Sequence, residues 1–331
     1  VTAILAAKAH IPQTIRPLNI WRDLTAVADL VELCFGNTLD PEGRSSVDSM
    51  RRRAHDSAFL SKVSKAIDST SLPLSGYVWE EENKIIGNVS LIPFHFRGKK
   101  IQLIANVATH PDQRRRGIAR ALTERAIDHA RARGVDSIWL HVREDNPGAI
   151  YLYETLGFSE IMRRSTWTVK SGLIPDDLNA DISINPATRS IWSSQSAWLA
   201  RAYPEAMQWY AARHWDIFRP GLIISLYRLM QDVYIDQIMA HKGDQLLGAL
   251  SRYETYNADH LWAALPPDAD GRALHSLLLR ARRSASRAHQ LVFDYPAHLH
   301  EAAIVSAGFK LHRTLIWMRA PGATSNSGRS Y

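Results

Sequence analysis

The 331-residue sequence predicts an α/β (α+β) fold built as two tandem copies of one unit. Three observations predict it. Segments of strand-like alternation and helical periodicity follow one another, with tight turns between them. The same succession recurs in the second half of the chain. Two anchors then fall in register: "IARAL" at 118–122 aligns with "DGRAL" at 270–274, and "TLGFSEIMRRSTW" aligns with "SAGFKLHRTLIW". Gly157-Phe158 therefore matches Gly308-Phe309, with anchor spacings of 38 residues (119 to 157) and 37 residues (271 to 308).

Taken in order, "TIRPLNI" reads as a strand and residues 23–36 as a helix. That helix carries Leu24, Val27, Ala28, Val31, Cys34 and Phe35 on one apolar stripe, which makes Cys34 a packing residue. Residues 45–67 read as a mostly polar helix. Strands "SGYVWEE" and "KIIGNVSLIPFHF" follow, joined by a tight turn at Glu82-Asn83. "KKIQLIANVATH" is a strand ended at Pro111, and 117–133 is a helix stopped by Gly134. "VDSIWLHV" alternates as a strand. Asn146-Pro147 opens a helix as cap and first-turn proline, and Gly157 closes it. "IMRRSTWTVK" ends the first copy. The Pro-, Asp- and Asn-rich stretch 171–187 reads as a linker.

Helical material then runs to about 232, followed by strands "YIDQIMAH", "QLLGALSRYE" and "HLWAAL". A helix near 271–287, strand "QLVFDY", helix "AHLHEAAIVSA" and strand "LHRTLIWMR" complete the second copy. Residues 1–12 read as an extension, not a signal peptide, and 321–331 as a disordered tail.

Composition narrows the function classes. With 46% hydrophobic and 22% charged residues the chain is globular, and no apolar run reaches spanning length. The net charge of +7 is spread among interspersed acids, unlike the dense basic block of a nucleic-acid binder. No nucleic-acid or membrane partner is expected. A single cysteine excludes an intrachain disulfide and fits a cytoplasmic setting. No metal site is expected: no HExxH occurs, and His298 and His300 are two apart, off a common helical face. His110, beside Pro111, reads as the end of its strand.

The chemistry concentrates in "THPDQRRRGIARAL", Thr109 to Leu122. A helix start leaves four backbone N–H groups without partners, at the positive end of the macrodipole. Gly117 lets the backbone turn tightly and approach a ligand, Ala119 keeps the mouth open, and the arginines add charge around it. The combination suits a pyrophosphate, although it is neither a Walker loop nor GxGxxG. Alone it would also read as a solvated basic turn. About 30 residues on, however, comes "NPGAIYLYETLGF", Asn146 to Phe158.

The two segments, in this order and spacing, resemble the GNAT superfamily of acyl-CoA-dependent N-acyltransferases. The R/Q-x-x-G-x-G/A pattern appears as Arg114-Arg115-Arg116-Gly117-Ile118-Ala119, and N…A…LY…GF as Asn146, Ala149, Leu152-Tyr153 and Gly157-Phe158. The resemblance covers 13–170 strongly and 188–320 weakly. It implies that each unit is a mixed, mainly antiparallel sheet flanked by helices. It further implies acetyl-CoA as co-substrate and transfer to a primary amine of a small molecule or peptide by direct attack in a ternary complex. Backbone groups of Val107, Ala108 and Thr109 would hold the thioester and pantetheine. Amides of Arg115, Arg116, Gly117, Ile118, Ala119 and Arg120 would wrap the pyrophosphate. Asn146 would contact the pantetheine arm, and Tyr153 would protonate the departing thiolate as general acid. Tyrosine at about 10 and a thiol at about 8.5 make that transfer uphill by roughly 2 kcal/mol, so proximity or the local field must close the gap. Tyr153 also lies on an apolar stripe with Ala149, Leu152 and Leu156, as a packing residue would.

The second copy departs at each chemical position. Asp268-Ala269-Asp270 replaces Arg116-Gly117-Ile118, and Ile304 stands where Tyr153 does. The C-terminal copy therefore reads as a silent partner, which makes the chain a monomeric pseudo-dimer or a weak homodimer. Glu80, Glu81, His95 and His141 are candidates for the base that deprotonates the amine. An acyl-CoA-binding regulator without turnover is the competing class. It would release no thiol, and Tyr153→Phe would leave its function intact.

Overall fold

The computed structural model describes residues 14–36, 39, 41–58, 74–170, 174, 179–210, 215–221, 224, 234–255, 258–285 and 289–322. The N-terminal extension, the helix read beyond residue 58, most of 171–178, much of the helical material at 211–232 and the tail beyond 322 lie outside the described residues. The chain divides into two compact units. One runs to His141 and includes Tyr151–Ser159 and the segment from Met318; the other is Val142–Ile150 with Glu160–Trp317.

In the first unit the strands are β1 (Ile15–Pro17), β2 (Ser75–Glu81), β3 (Lys84–Phe96), β4 (Lys99–Thr109) and β5 (Ser137–Arg143). They lie in the order β1-β2-β3-β4-β5, followed by the end of β12 (Lys310–Pro321). Among β1 to β5, neighbours run antiparallel except β4 and β5, which are parallel. Helices α1 (Ile20–Phe35) and α2 (Pro41–Ala54) bury Leu24, Val27, Val31, Val47 and Met50 with Val78 of β2. Helix α3 (Ile118–Ala132) covers the opposite face, the one Trp79 points to, because successive strand residues alternate. Full burial of each such aliphatic side chain stabilises the unit by about 1.5–3 kcal/mol.

Helix α1 begins three residues before the periodicity suggests. Asn19 caps it, its Oδ1 accepting the Trp21 N–H at 3.0 Å. The buried Asp23 accepts the Asn19 N–H at 2.8 Å and pairs with Arg16 at 2.6 Å. That ion pair ties the helix to β1.

The second unit repeats the succession with β8 (Ile235–Lys242), β9 (Gln245–Glu254), β10 (Ala258–Ala264), α6 (Arg272–Ser284), β11 (Gln290–Pro296) and α7 (Glu301–Ser306), taking α4 (Pro147–Thr155) as the first copy's counterpart of α7 and α5 as Trp192–Ala202. Its sheet runs from β6 (Ser159–Val169) through β11, β10, β9 and β8 to β7 (Ser183–Pro186). Only β10 and β11 are parallel. Each unit is thus a mixed, mainly antiparallel sheet flanked by helices, the predicted fold class.

Chain order and unit membership part company at two strands. Strand β6 follows α4 in sequence yet pairs with β11 inside the second unit, Leu291 opposite Val169 through Pro296 opposite Arg164. The end of β12 returns to the first unit, where Gly322 donates to Asp136 O at 3.3 Å. Residues 183–186, within the stretch read as a linker, form strand β7 against β8. The helix read from 297 starts at Glu301, since His298 and His300 hold positive φ of 64° and 55°.

Candidate active site

The site is set up by an irregularity in β4. Its pairing with β3 shifts by one residue between Asn88 and Ser90, and Asn106 takes φ 50°. This is a β-bulge, and asparagine is among the few side chains that tolerate the left-handed region. Asn88, fully buried, donates its Nδ2 to Asn106 O at 2.9 Å and to Ser90 Oγ at 3.3 Å. Its Oδ1 and the Thr109 Oγ1 are buried without partners. Strands β4 and β5 pair only from Ile101 opposite Ser137 to Leu103 opposite Trp139. Beyond that point they diverge, so Val107, Ala108 and Thr109 lie past the last paired residue on that side.

After Thr109 the chain turns into a helix mouth. The His110 N–H bonds to Ile86 O at 2.8 Å, and Pro111–Gln113 form one short 3-10 turn. The His110 ring accepts the Asp112 N–H at 3.4 Å, so this histidine ends the strand and caps the turn. Arg115 and Gly117 hold positive φ of 66° and 81°. Gly117 is the N-cap of α3, and no side chain caps the helix there. The first backbone bond of the helix is Ala121 N–H to Gly117 O at 3.0 Å. Among the described residues, no partner is found for the N–H groups of Arg115, Arg116, Gly117, Ile118, Ala119 or Arg120. A Cβ added at Gly117 would meet nothing within 4 Å. The result is a row of free donors at the positive end of a 15-residue helix, opening on empty space.

Gly87 of β3 fixes this mouth against the sheet. A Cβ there would lie 2.7 Å from Ile118 Cγ2 and 2.9 Å from Leu122 Cδ1. The first turn of α3 therefore rests directly on the β3 backbone.

The arginine side chains do not all face the mouth. Arg116 pairs with Glu81 at 2.9 Å and bonds Gln113. Arg120 donates to Thr155 Oγ1 of α4 at 2.7 Å. Arg114 lies beside Cys34, whose Sγ donates to Thr109 O at 3.3 Å. Burial pushes the Cys34 thiol up despite that guanidinium. It is a neutral packing group behind the site, not a nucleophile.

Tyr153 sits on α4, 7% exposed, edge-on to Phe158 with ring centroids 6.1 Å apart. Gly157, at φ 88°, lets Phe158 N–H reach back to Tyr153 O at 3.0 Å, which locks the end of the helix. No hydrogen bond to the Tyr153 hydroxyl is found among the described residues. Burial pushes that hydroxyl above the ordinary tyrosine range, so it stays protonated throughout the neutral range. Asn146 caps α4, its Oδ1 accepting the Ala149 N–H at 3.1 Å. Only its Nδ2 is left for another partner.

The base candidates separate. Glu80 is held below the ordinary carboxylate range by Arg16, with Arg22 adding to the effect. Glu81 is lowered by Arg116 and then by the Trp79 Nε1–H. Both are poor proton acceptors. His95 lies opposite Lys100 at the far end of β4, about seven strand residues or roughly 23 Å from Val107. His141 lies on β5 and is half-buried.

The second unit has the same scaffold with the mouth closed. Gly271, φ 88°, caps α6 as Gly117 caps α3. The structure thus sets Asp270-Gly271-Arg272 against Arg116-Gly117-Ile118, two residues away from the sequence alignment that put Asp268-Ala269-Asp270 there. Here Asp270 Oδ1 accepts the Arg272 N–H at 3.0 Å, and a Cβ on Gly271 would meet His300 and Ala303 at 3.3 Å. Pairing of β9 with β10 runs without a register shift, so no bulge forms. Ile304, the counterpart of Tyr153, is fully buried. The features sequence reasoning missed are the Asn88–Ser90–Asn106 bulge and Gly87. A lone Asn inside the strand "KKIQLIANVAT" was the available signal for the bulge.

Residues 43–158 match the family model described as Acetyltransferase (GNAT) family. The chain is 47% identical over 68 residues to [Ribosomal protein bS18]-alanine N-acetyltransferase of Escherichia coli (strain K12), covering 20% of this chain and 46% of that protein. It is 43% identical over 63 residues to mycothiol acetyltransferase of Thermobispora bispora, 19% of each chain. The chain thus spans about half the length of the first curated relatives it matches, or less. Among solved structures, a GCN5-related N-acetyltransferase from Sphaerobacter thermophilus superposes with TM-score 0.55 at 12% identity, over 96% of this chain and 100% of that one. That likeness is one of fold.

Proposed function

Because residues 43–158 are an acetyltransferase domain of the GNAT family, we propose that the chain is an N-acetyltransferase that moves an acetyl group from acetyl-CoA to a primary amine of a small molecule or peptide. The observation that carries this reading is the open mouth of α3. Its N–H groups from Arg115 to Arg120 have no partner among the described residues, and a Cβ on Gly117 would meet open space. A pyrophosphate satisfies such donors without any side-chain charge, which suits a loop whose Arg116 and Arg120 are already engaged.

Acetyl-CoA, when bound, supplies an activated thioester. Val107 to Thr109, past the last β4–β5 pair, offer main-chain groups to orient it, as a short strand would. Asn146, whose Oδ1 caps α4, is proposed to contact the amide-bearing arm of the coenzyme through Nδ2. Tyr153 holds the proton for the departing sulfur at its hydroxyl. Its raised affinity for that proton widens the uphill gap to a free thiolate, so the hydroxyl works by donating a hydrogen bond as charge develops on sulfur. Net transfer of the proton would require the site's field to close that gap.

The second unit is proposed to bind no coenzyme. Asp270 occupies one of its helix donors, the Arg272 N–H, and His300 and Ala303 stand over Gly271. The direct test is thiol release from acetyl-CoA across a panel of amines, amino acids, aminoglycosides and peptides. Acceptor-dependent thiol release, lowered in Tyr153→Phe, is expected. No release with any acceptor, from wild type and variant alike, refutes the enzyme reading in favour of an acyl-CoA-binding regulator.

A further inference from the structure

At the other end of α3 lies a cavity of about 250 Å³ that the acetyl-transfer chemistry does not use. Sheet register places its polar residues on one face. Ser75 is opposite Leu91, Gln102 opposite Pro93 and Lys100 opposite His95, and cross-strand partners share a face. The last turn of α3 closes that face with His129 and Arg133. Four lining residues are basic side chains or histidines (His95, Lys100, His129 and Arg133), and among the described residues no carboxylate lines the cavity.

Two further observations point to a ligand. Gln102 is 4% exposed, and its side-chain Nε2 has no hydrogen-bond partner. A buried unpaired amide costs about 1–3 kcal/mol, which a ligand acceptor would remove. The Tyr77 hydroxyl, 2.8 Å from His129 Nδ1, also holds that ring in place. The helix C-terminus does not oppose an anion here. The carbonyls of His129, Ala130 and Arg131 already accept bonds from Arg133, Gly134 and Val135.

We propose that this cavity, between the last turn of α3 and the β2–β3–β4 sheet, binds a small carboxylate with an apolar body. The carboxylate sits among Gln102, Lys100 and the two histidines, and the body against Leu91 and Pro93. The proposal is independent of the acetyl-transfer reading.

Calorimetric titration of the full chain with benzoate, benzylamine and inorganic phosphate tests it. Saturable benzoate binding is expected, with none for benzylamine. Lys100→Glu, an exposed change, is expected to weaken benzoate about tenfold, and Gln102→Leu, which keeps the volume, by a similar factor. Absence of benzoate binding, or equal binding by wild type and Lys100→Glu, overturns the proposal. Phosphate binding as tight as benzoate, with the same sensitivity to both variants, overturns the apolar-body assignment. A melting temperature unaltered in Lys100→Glu and not lowered in Gln102→Leu separates lost binding from lost fold.

Discussion

Tyr153 illustrates how one side chain can serve packing and chemistry together. Its ring sits against Phe158, while its hydroxyl has no partner among the described residues and is pushed up by burial. Tyr153→Phe therefore keeps every recorded contact and removes only the proton. Its kcat is expected to fall about 10²–10⁴-fold with KM for acetyl-CoA little changed, as steady-state thiol release would read. Because the proposed role needs the neutral hydroxyl and its proton affinity is raised, Tyr153 should impose no loss of activity between pH 7 and about 10. The same shift bears on stability. A group whose folded pKa lies above its unfolded one stabilises fully below the unfolded value, and that contribution is lost as pH rises through the folded one. Tyr153 behaves this way, as does Tyr295, which burial pushes up to about 12. Thermal melts in alkali should show stability declining only above about pH 10. Asp23 has the opposite sign. Burial pushes its carboxyl up, but the Arg16 pair, the Asn19 N–H and Arg22 outweigh it and hold it below the ordinary range. Its contribution is present above the unfolded value and lost as pH falls through the folded one. Asp23→Ala, which strands Arg16 against Glu80 alone, should destabilise by about 3–5 kcal/mol in urea unfolding.

At the scale of elements, the mouth of α3 depends on two glycines for different reasons. Gly117 supplies a positive φ in open space, and Gly87 supplies close contact between helix and sheet. Gly87→Val should force Ile118 and Leu122 away and cost about 1–3 kcal/mol in stability, weakening acetyl-CoA binding at the same time. Much of this element was legible in the sequence. Pro111, the arginines, Gly117 and the apolar period of α3 define a strand–turn–helix by local rules. The bulge at Asn106 was not, because a one-residue register shift is set by pairing with β3, not by anything in β4 itself. Nor were the partners of the arginines. Arg116–Glu81 and Arg120–Thr155 each join residues 35 apart, and charge alone did not separate a ligand-facing guanidinium from a surface ion pair.

For the whole molecule, the repeat read from two aligned anchors is present as two units with the same succession of strands and helices. Their membership was less legible. Strand periodicity identifies β6 and β12 as strands but cannot say which sheet edge each completes, since any unpaired edge offers the same donors and acceptors. The two units differ where chemistry is concerned. One has a bulged strand, an uncapped helix and an open glycine. The other has continuous β9–β10 pairing, an Asp270 carboxylate on the first N–H of its helix and a glycine covered by His300 and Ala303. The central claim is that a single coenzyme seat exists per chain and that main-chain donors around Gly117 form it. Calorimetric titration of wild type and Gly117→Val with acetyl-CoA tests it most directly. One site per chain is predicted for wild type, with affinity lost at least about tenfold in Gly117→Val, whose side chain would occupy the mouth at an unfavourable φ. Two sites per chain, or undiminished binding by Gly117→Val, would contradict it.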